Sequence, residues 1–156
     1  MPDIKIDTAV PSPQAVVTPR LLTVLNGYAS RSDVVLALDL GLAGAAMSVP
    51  VTVDVGDYRT RTATSIPIAL KASHHTGWFP IFRGAVRNDP AGPLESILWL
   101  AGTYETPLGA LGDVIDRTVL SHAAQRSLRF FLERLRSDVI DEIQRAEFDI
   151  RRRSGS

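Results

Sequence analysis

The sequence predicts an α+β fold in which a curved antiparallel β-sheet wraps around one long C-terminal α-helix. Between residues 33 and 105, apolar and polar side chains mostly alternate with a period of two, which is typical of strands. Connections of turn length join these segments, and they favour antiparallel pairing because parallel pairs need long crossovers. In the last third of the chain, the apolar residues recur with a period of 3.6, which is typical of an α-helix. The apolar stripe of this helix needs the sheet to cover it.

The chain begins with one strand and a helical segment. Residues 4–8 alternate and predict the first strand, which ends at a Pro-Ser-Pro turn. Ser12 followed by Pro13 has the pattern of an N-cap and a first helical residue. Helical spacing continues over residues 13–26, and Pro19 within it predicts one or two short helices after the first strand. The Asn26-Gly27 pair predicts the end of this helical segment.

About six consecutive strands follow. The clearest of them is residues 48–55, in which four valines alternate with residues that include Thr52 and Asp54. Pro67 indicates an edge strand or a weakened one. The strongest turn signal is residues 88–93, with sequence NDPAGP. The predicted strands span residues 34–40, 48–55, 58–64, 65–72, 78–87 and 95–104.

One long amphipathic helix closes the chain. Apolar residues at helical spacing form a single stripe from residue 119 to residue 143, while Arg126, Arg129 and Glu133 occupy the other face. The helix is predicted to run for about 30 residues. Residues 151–156 lack periodicity and are predicted to form a disordered tail. With no shift in composition, residues 1–156 form one predicted domain.

Composition excludes several classes of protein. Seventeen basic and seventeen acidic residues give a formal net charge of +0, which argues against nucleic acid as a partner. The absence of cysteine excludes a disulfide scaffold, thiolate zinc sites and a cysteine nucleophile. The sequence has neither the pattern of a signal peptide nor an apolar run long enough for a spanning helix. We therefore expect a cytoplasmic protein without integral membrane association, cofactor or metal.

The order of elements and a short junction resemble a known superfamily. Residues 102–112, GTYETPLGALG, run into the long helix and are similar to the Gly-x-Tyr-x-x-Pro-x-Gly-x-x-Gly junction of small, largely uncharacterised bacterial members of the START-like (SRPBCC) superfamily of polyketide cyclases/dehydrases and lipid-transport proteins. The Phe79-Pro80 and Phe82-x-Gly84 arrangement is also similar. The resemblance implies a helix-grip fold whose cavity, between sheet and long helix, holds a lipid, a polyketide or a similar apolar molecule.

Strand phase and this resemblance together predict which residues line the cavity. They are the inward residues of the later strands and of the first half of the long helix. A filled core is the alternative interpretation, since the same apolar residues would serve as its interior. The predicted ligand-binding residues are Leu70, Phe82, Val86, Leu98, Leu100, Tyr104, Leu120, Ala124, Leu128 and Phe131.

The histidines are candidates for chemistry, each with a simpler interpretation. His74 and His75 are adjacent, and neighbours on a strand point in opposite directions, so an exposed turn is favoured over a metal site. His122 falls near the edge of the apolar stripe. It could act as a general acid or base with Asp116 and Ser121 nearby in sequence, but a place on the helix surface is favoured.

Two acids and three aromatic or aliphatic residues complete the candidates. Asp39 and Asp54 are predicted to be exposed, because burying either would turn its strand's apolar face outward. Tyr104 is in phase with the inward residues, so its hydroxyl would bond a ligand or tie the strand end to the helix. Ile97 and Trp99 occupy the opposite phase and suggest a homodimer contact, with cover by the early helices or an adjacent loop as the alternative.

Three functions are compatible with these patterns. The first is the binding or carriage of a small hydrophobic ligand. The second is an enzyme of cyclase, dehydratase or hydrolase type that uses the same pocket with His122, Tyr104 or an inward acid. The third is an interaction module with a closed core, which dimerises through the face of Ile97 and Trp99.

Overall fold

The computed structural model describes residues 3–31, 34–39, 46–56, 65–73, 81–105 and 117–155. The predicted strand at residues 58–64 and the histidine pair lie outside this part of the chain, as does most of the junction before the long helix. The described elements are β1 (Asp3–Val10), α1 (Gln14–Ser30), β2 (Val35–Asp39), β3 (Ala46–Val55), β4 (Ser65–Ala72), β5 (Ile81–Gly92), β6 (Glu95–Glu105) and α2 (Arg117–Ser154).

The six strands form one antiparallel sheet in the order β1-β6-β5-β4-β3-β2. Strands β1 and β2 lie at opposite edges of this sheet, yet both contact α2. The sheet therefore curves around the helix. Helix α1 contacts α2 and the inner strands. This architecture confirms the predicted α+β fold with a curved sheet wrapped around the C-terminal helix.

The core lies between the concave face of the sheet and the two helices. Along β4, Ile66, Ile68 and Leu70 are buried and alternate with half-buried residues, as a period of two requires. The predicted face of β3 is also confirmed, because three of its four inward valines are buried and Val55 is half-buried, while Thr52 and Asp54 are exposed. The helices contribute Val17, Leu21, Leu25 and Tyr28 from α1 and Ala124, Leu128, Phe131, Leu132, Leu135, Val139 and Ile143 from α2.

A pair of glycines brings β5 and β6 unusually close on the concave face. Gly84 and Gly102 are partners in the strand register. A Cβ atom on Gly84 would lie 2.1 Å from the carbonyl oxygen of Ala101, and one on Gly102 would lie 2.3 Å from that of Arg83. No side chain fits at either position without a shift of main-chain atoms, so the close approach of the two strands here requires glycine.

Helix α1 differs from the prediction at both ends and in its middle. Pro13, with φ −68° and ψ 154°, is the N-cap instead of Ser12, and no side chain caps the helix. Pro19 neither ends nor splits the helix, which runs as one 17-residue element past Gly27. The burial of one face of α1 against the core stabilises the helix by more than the loss of the hydrogen bond that Pro19 removes.

Two further predictions about local structure were wrong. The turn predicted at residues 88–93 is part of β5, which continues to Gly92 and turns at residues 93–94. Gly92 has a φ of +149°, and a register shift accompanies it. Pro67 does not mark an edge, because β4 lies between β3 and β5. Pro67 lies one residue beyond the last residue of β4 that pairs with β3, and its carbonyl there accepts the N–H of Gly56. The backbone N–H that proline lacks is not needed at this position.

Helix α2 has 38 residues and continues through Ser154, where the sequence predicted a disordered tail from residue 151. The Ser154 hydroxyl donates to the Ile150 carbonyl, and the Gly155 N–H donates to that of Arg151. Three arginines, Arg151–Arg153, occupy the last turn. Positive charge there favours the helix, because the C-terminal end of a helix dipole is negative.

A polar contact between α1 and α2 surrounds Tyr28. The Tyr28 hydroxyl donates to Oδ2 of Asp138, and its ring meets Phe131 edge-on at 6.0 Å between centroids. The Arg134 guanidinium lies 5.9 Å from the Tyr28 ring centroid, and its Nε lies 3.9 Å from Asp138 Oδ2. Burial, and then the hydrogen bond to the Asp138 carboxylate, raise the pKa of Tyr28 far above its ordinary value.

Substituting Tyr28→Phe is expected to lower the free energy of unfolding at pH 7 by about 1–2 kcal/mol, the range for a lost hydrogen bond to a partly hydrated carboxylate. The folded state favours the neutral phenol, whereas the unfolded chain ionises near pH 10. The contribution of Tyr28 is therefore complete below about pH 10 and declines as the pH rises above it. Urea unfolding at pH 7 and pH 11 should show the wild type losing more stability than the variant. An equal loss in both proteins would contradict this role for Tyr28.

Candidate functional site

The candidate site is the concave face of the sheet together with the apolar stripe of α2. Nine of the ten predicted lining residues have described side chains, and all nine are buried. The tenth, Leu120, lies in α2, but its side chain is outside the described part of the structure. The buried nine are Leu70, Phe82, Val86, Leu98, Leu100, Tyr104, Ala124, Leu128 and Phe131. Their burial confirms the predicted phase of β4, β5, β6 and α2, while contact with a ligand stays a prediction.

The interior is apolar over most of its extent. Among the described residues, the buried polar side chains are Asn88, Ser96 and Ser127, and none of the buried side chains is charged. Tyr104, 2% exposed, adds a hydroxyl on β6. Such an interior suits the binding of an apolar molecule, which needs a shaped apolar surface and few polar contacts. Acid–base chemistry would need a titratable pair facing the same space.

One end of the interior is polar, and the sequence analysis missed it. The Asn88 side chain donates from Nδ2 to the Ile97 carbonyl at 3.3 Å and accepts from the Thr18 hydroxyl at 3.3 Å. The Gln14 side chain donates to the Asn88 carbonyl at 2.8 Å. Ser96 is fully buried, and its Oγ has no hydrogen-bond partner among the described residues. The signal was present, because Asn88 continues the every-second-residue spacing of the inward residues of β5.

Apart from the inward Tyr104, the candidate chemical residues that have described side chains lie on the outside. His122 is exposed on α2, as the favoured interpretation predicted. Asp54 is exposed and pairs with Lys71 at 3.6 Å, which confirms its outward orientation. Asp39 ends β2, but its side chain lies outside the described part, as do His74 and His75. The described residues contain no group of three potential metal ligands.

Ile97 and Trp99 lie on the convex face of the sheet and are half-buried. The Nζ of Lys5 lies 4.5 Å from the centroid of the Trp99 ring, in a cation–π contact. Part of the cover over Trp99 therefore comes from the chain's own first strand. The dimer contact predicted for this face stays a prediction.

The fold matches several solved structures at low sequence identity. A conserved protein from Geobacillus kaustophilus is 12% identical with a TM-score of 0.57, over 90% of this chain and 96% of that one. The Zhui aromatase/cyclase from Streptomyces sp. R1128 is 15% identical with a TM-score of 0.55, over 91% and 95%. Ara h 8.0201 is 9% identical with a TM-score of 0.55, over 90% and 98%. These matches establish a START/SRPBCC-like helix-grip fold.

Comparisons of sequence alone give a different result. No protein-family model matches the chain, and none of the curated proteins matches it. The fold is therefore the property that this chain shares with the solved structures.

Among the described residues, no helix is long and apolar enough to span a membrane.

Proposed function

We propose that this START-like domain binds a small hydrophobic ligand between the concave face of the sheet and helix α2. The observation that carries the proposal is the apolar interior itself. Inward side chains from β3, β4, β5 and β6 form one buried cluster with the stripe of α2, and the described part of this interior holds no charged side chain. A ligand there would be held by burial of its apolar surface, with a few hydrogen bonds to orient it.

Two polar groups of the interior indicate that the ligand carries hydrogen-bonding groups besides its apolar surface. The Tyr104 hydroxyl on β6 could donate to a ligand carbonyl or hydroxyl. The buried Ser96 Oγ, without a partner among the described residues, could do the same near the start of α1. Leaving such a group unsatisfied costs about 1–3 kcal/mol, so a ligand that bonds it gains accordingly. We therefore expect a mostly apolar ligand with one or two hydrogen-bonding groups.

The aromatase/cyclase among the matched structures supports the use of this fold for small molecules, and catalysis in the same pocket is the alternative. The described residues favour binding, because His122 is exposed and Asp54 points away from the interior. Tyr104 is an inward titratable group of the sheet that an enzyme could use there. A ligand recovered chemically unchanged after incubation would support binding over catalysis.

Native mass spectrometry of gently purified protein tests the proposal. We expect a reproducible added mass, and we expect denaturing solvent extraction to release an apolar molecule of that mass. The same spectra report whether the chain is a dimer, which the face of Ile97 and Trp99 predicts. A bare protein mass, together with no binding of the apolar dye anilinonaphthalene sulfonate, would contradict the proposal.

A further inference from the structure

A groove of about 530 Å³ opens between edge strand β1 and the first half of α2. Its lining residues are Ile6, His122, Gln125, Arg126 and Arg129. The four from α2 are spaced at i, i+3, i+4 and i+7, which places them on one face of the helix. Among the described residues, the lining therefore combines one apolar residue with four nitrogen-bearing side chains and includes no carboxylate.

Hydrogen bonds to the edge strand β1 hold Arg129 of the groove and Arg136, two turns further along α2, in place. Arg129 donates from Nη1 to the carbonyl of Asp7 at 2.8 Å, and Arg136 donates from Nε to the carbonyl of Ala9 at 2.6 Å. Glu133 lies 4.0 Å from the same Nη1 of Arg129, on the side of the next helical turn. A guanidinium has five N–H donors in a fixed fork, so these contacts orient Arg129 and leave donors for a ligand.

Main-chain groups of β1 add to the donors of the groove. The carbonyls of Asp7 and Ala9 point away from β6 toward α2, because Arg129 and Arg136 bond to them. Backbone groups of alternate residues in an antiparallel strand point to the same side. The N–H groups of Lys5 and Asp7 therefore point to this edge as well, where β1 has no neighbouring strand in the sheet. Oriented donors of this kind favour an anionic oxygen.

Ile6 connects the groove to the interior. It is half-buried, lines the groove and packs against the hydrophobic core. It is the boundary between a donor-lined groove at the surface and the apolar space in which we place the ligand. A molecule with an acidic group at one end and an apolar body could occupy both sides of this boundary.

We infer that the groove between β1 and α2 binds an acidic group, a carboxylate or a phosphate, of an amphipathic ligand whose apolar part passes Ile6 into the interior. The inference rests on the proposed function and narrows its ligand class to anionic amphiphiles. The acidic group pairs with the guanidinium groups of Arg126 and Arg129 and accepts from the side chains of His122 and Gln125.

Calorimetric titration with three compounds tests this inference, with decanoate kept below its micelle concentration and decanol below its solubility in water. Decanoate has both the acid and the chain, decanol has the chain alone, and acetate has the acid alone. The wild type should bind decanoate about tenfold more tightly than decanol, a difference worth 1.4 kcal/mol. Acetate should show no measurable binding, because a single exposed carboxylate competes poorly with water.

A matched pair of variants locates the acidic group. Gln125→Glu places a negative charge in the groove and should weaken decanoate binding about tenfold while leaving decanol binding within about twofold. Gln144→Glu makes the same change on an exposed position of the same helix, roughly 28 Å away along its axis, and should change neither affinity. Circular dichroism of both variants checks that α2 is intact.

Each contrary result has a distinct meaning. Equal affinities for decanoate and decanol, unchanged by Gln125→Glu, would overturn the groove inference and leave the proposed function standing. Acetate binding as tight as that of decanoate would overturn it by showing a site for small free anions. Equal weakening by Gln125→Glu and Gln144→Glu would assign the effect to overall charge and not to the groove. Binding of neither long-chain compound would overturn both the inference and the proposed function.

Discussion

Replacing Phe131 with alanine is expected to lower the free energy of unfolding by about 3–5 kcal/mol, the usual cost of truncating a fully buried aromatic side chain. Phe131 is 1% exposed at the middle of α2, and its ring packs against that of Tyr28. The substitution removes the ring's apolar burial and its contact with α1 together. Urea unfolding followed by circular dichroism measures the loss.

The neighbouring phenylalanine provides a matched control for this prediction. Phe130 is 46% exposed and one helical position away, on the outer side of α2. Phe130→Ala should cost less than about 1 kcal/mol, since a surface substitution leaves no cavity. Similar losses in the two variants would show that the assigned inward face of α2 is wrong, and the proposed binding surface would be wrong with it.

Gly84→Ala is expected to be the most destabilising small substitution in the sheet. The added Cβ would lie 2.1 Å from the Ala101 carbonyl oxygen and 2.8 Å from the Cα of Gly102, which are main-chain atoms that cannot turn aside as a flexible side chain could. Overpacking of a close contact usually costs about 1–3 kcal/mol, and the backbone overlap here places this variant at or above the upper end. Thermal unfolding of the variant beside the wild type measures the cost.

The same substitution at Gly27 should have the opposite sign. Gly27 lies inside α1, and a Cβ there meets no atom within 4 Å. Alanine in a helix interior is more favourable than glycine by about 0.5–1 kcal/mol, so Gly27→Ala should raise the melting temperature. If Gly84→Ala were as stable as Gly27→Ala, β5 and β6 could not approach each other at Gly84 as closely as the structure has them.

The sequence predicted those parts of the fold that depend on periodicity. Alternation in residues 65–72 matches β4 at both ends, and the stripe that includes Leu128 and Phe131 identifies the buried face of α2. These predictions succeed because a side chain's direction in a strand or helix is fixed by its position in the period. The burial of the nine described residues that we predict to line the cavity was anticipated for the same reason.

The errors arose where distant contacts override a local signal. Pro19 and Gly27 both argued against a long first helix, yet Tyr28 is buried there and bonds to Asp138, 110 residues away. The Asn-Asp-Pro run beginning at Asn88 has the composition of a turn, yet the pairing of β5 with β6 and the contact of Asn88 with Thr18 make it a strand. Propensity is a weak guide where such contacts exist.

The groove illustrates the same limit at the level of a site. The spacing of His122, Gln125, Arg126 and Arg129 on one helix face could be read from the sequence. What they face could not, because β1 is separated from α2 by more than a hundred residues and becomes its neighbour through pairing with β6. The sequence therefore showed the donor residues that α2 contributes to the groove, but it did not show that β1 forms the other side.

A substitution that fills the interior between the sheet and α2 tests whether the ligand binds there. Ala124 is 5% exposed and points inward from α2, whereas Ala15 is exposed on α1. Native mass spectra of the wild type, Ala124→Trp and Ala15→Trp should show the bound mass in the first and third proteins and its loss in the second. Ala124→Trp should unfold at a free energy close to that of the ligand-free wild type, because the indole occupies the ligand's space. A bare wild-type mass, with Ala124→Trp destabilised by more than about 3 kcal/mol through overpacking, would show a filled core and contradict ligand binding there.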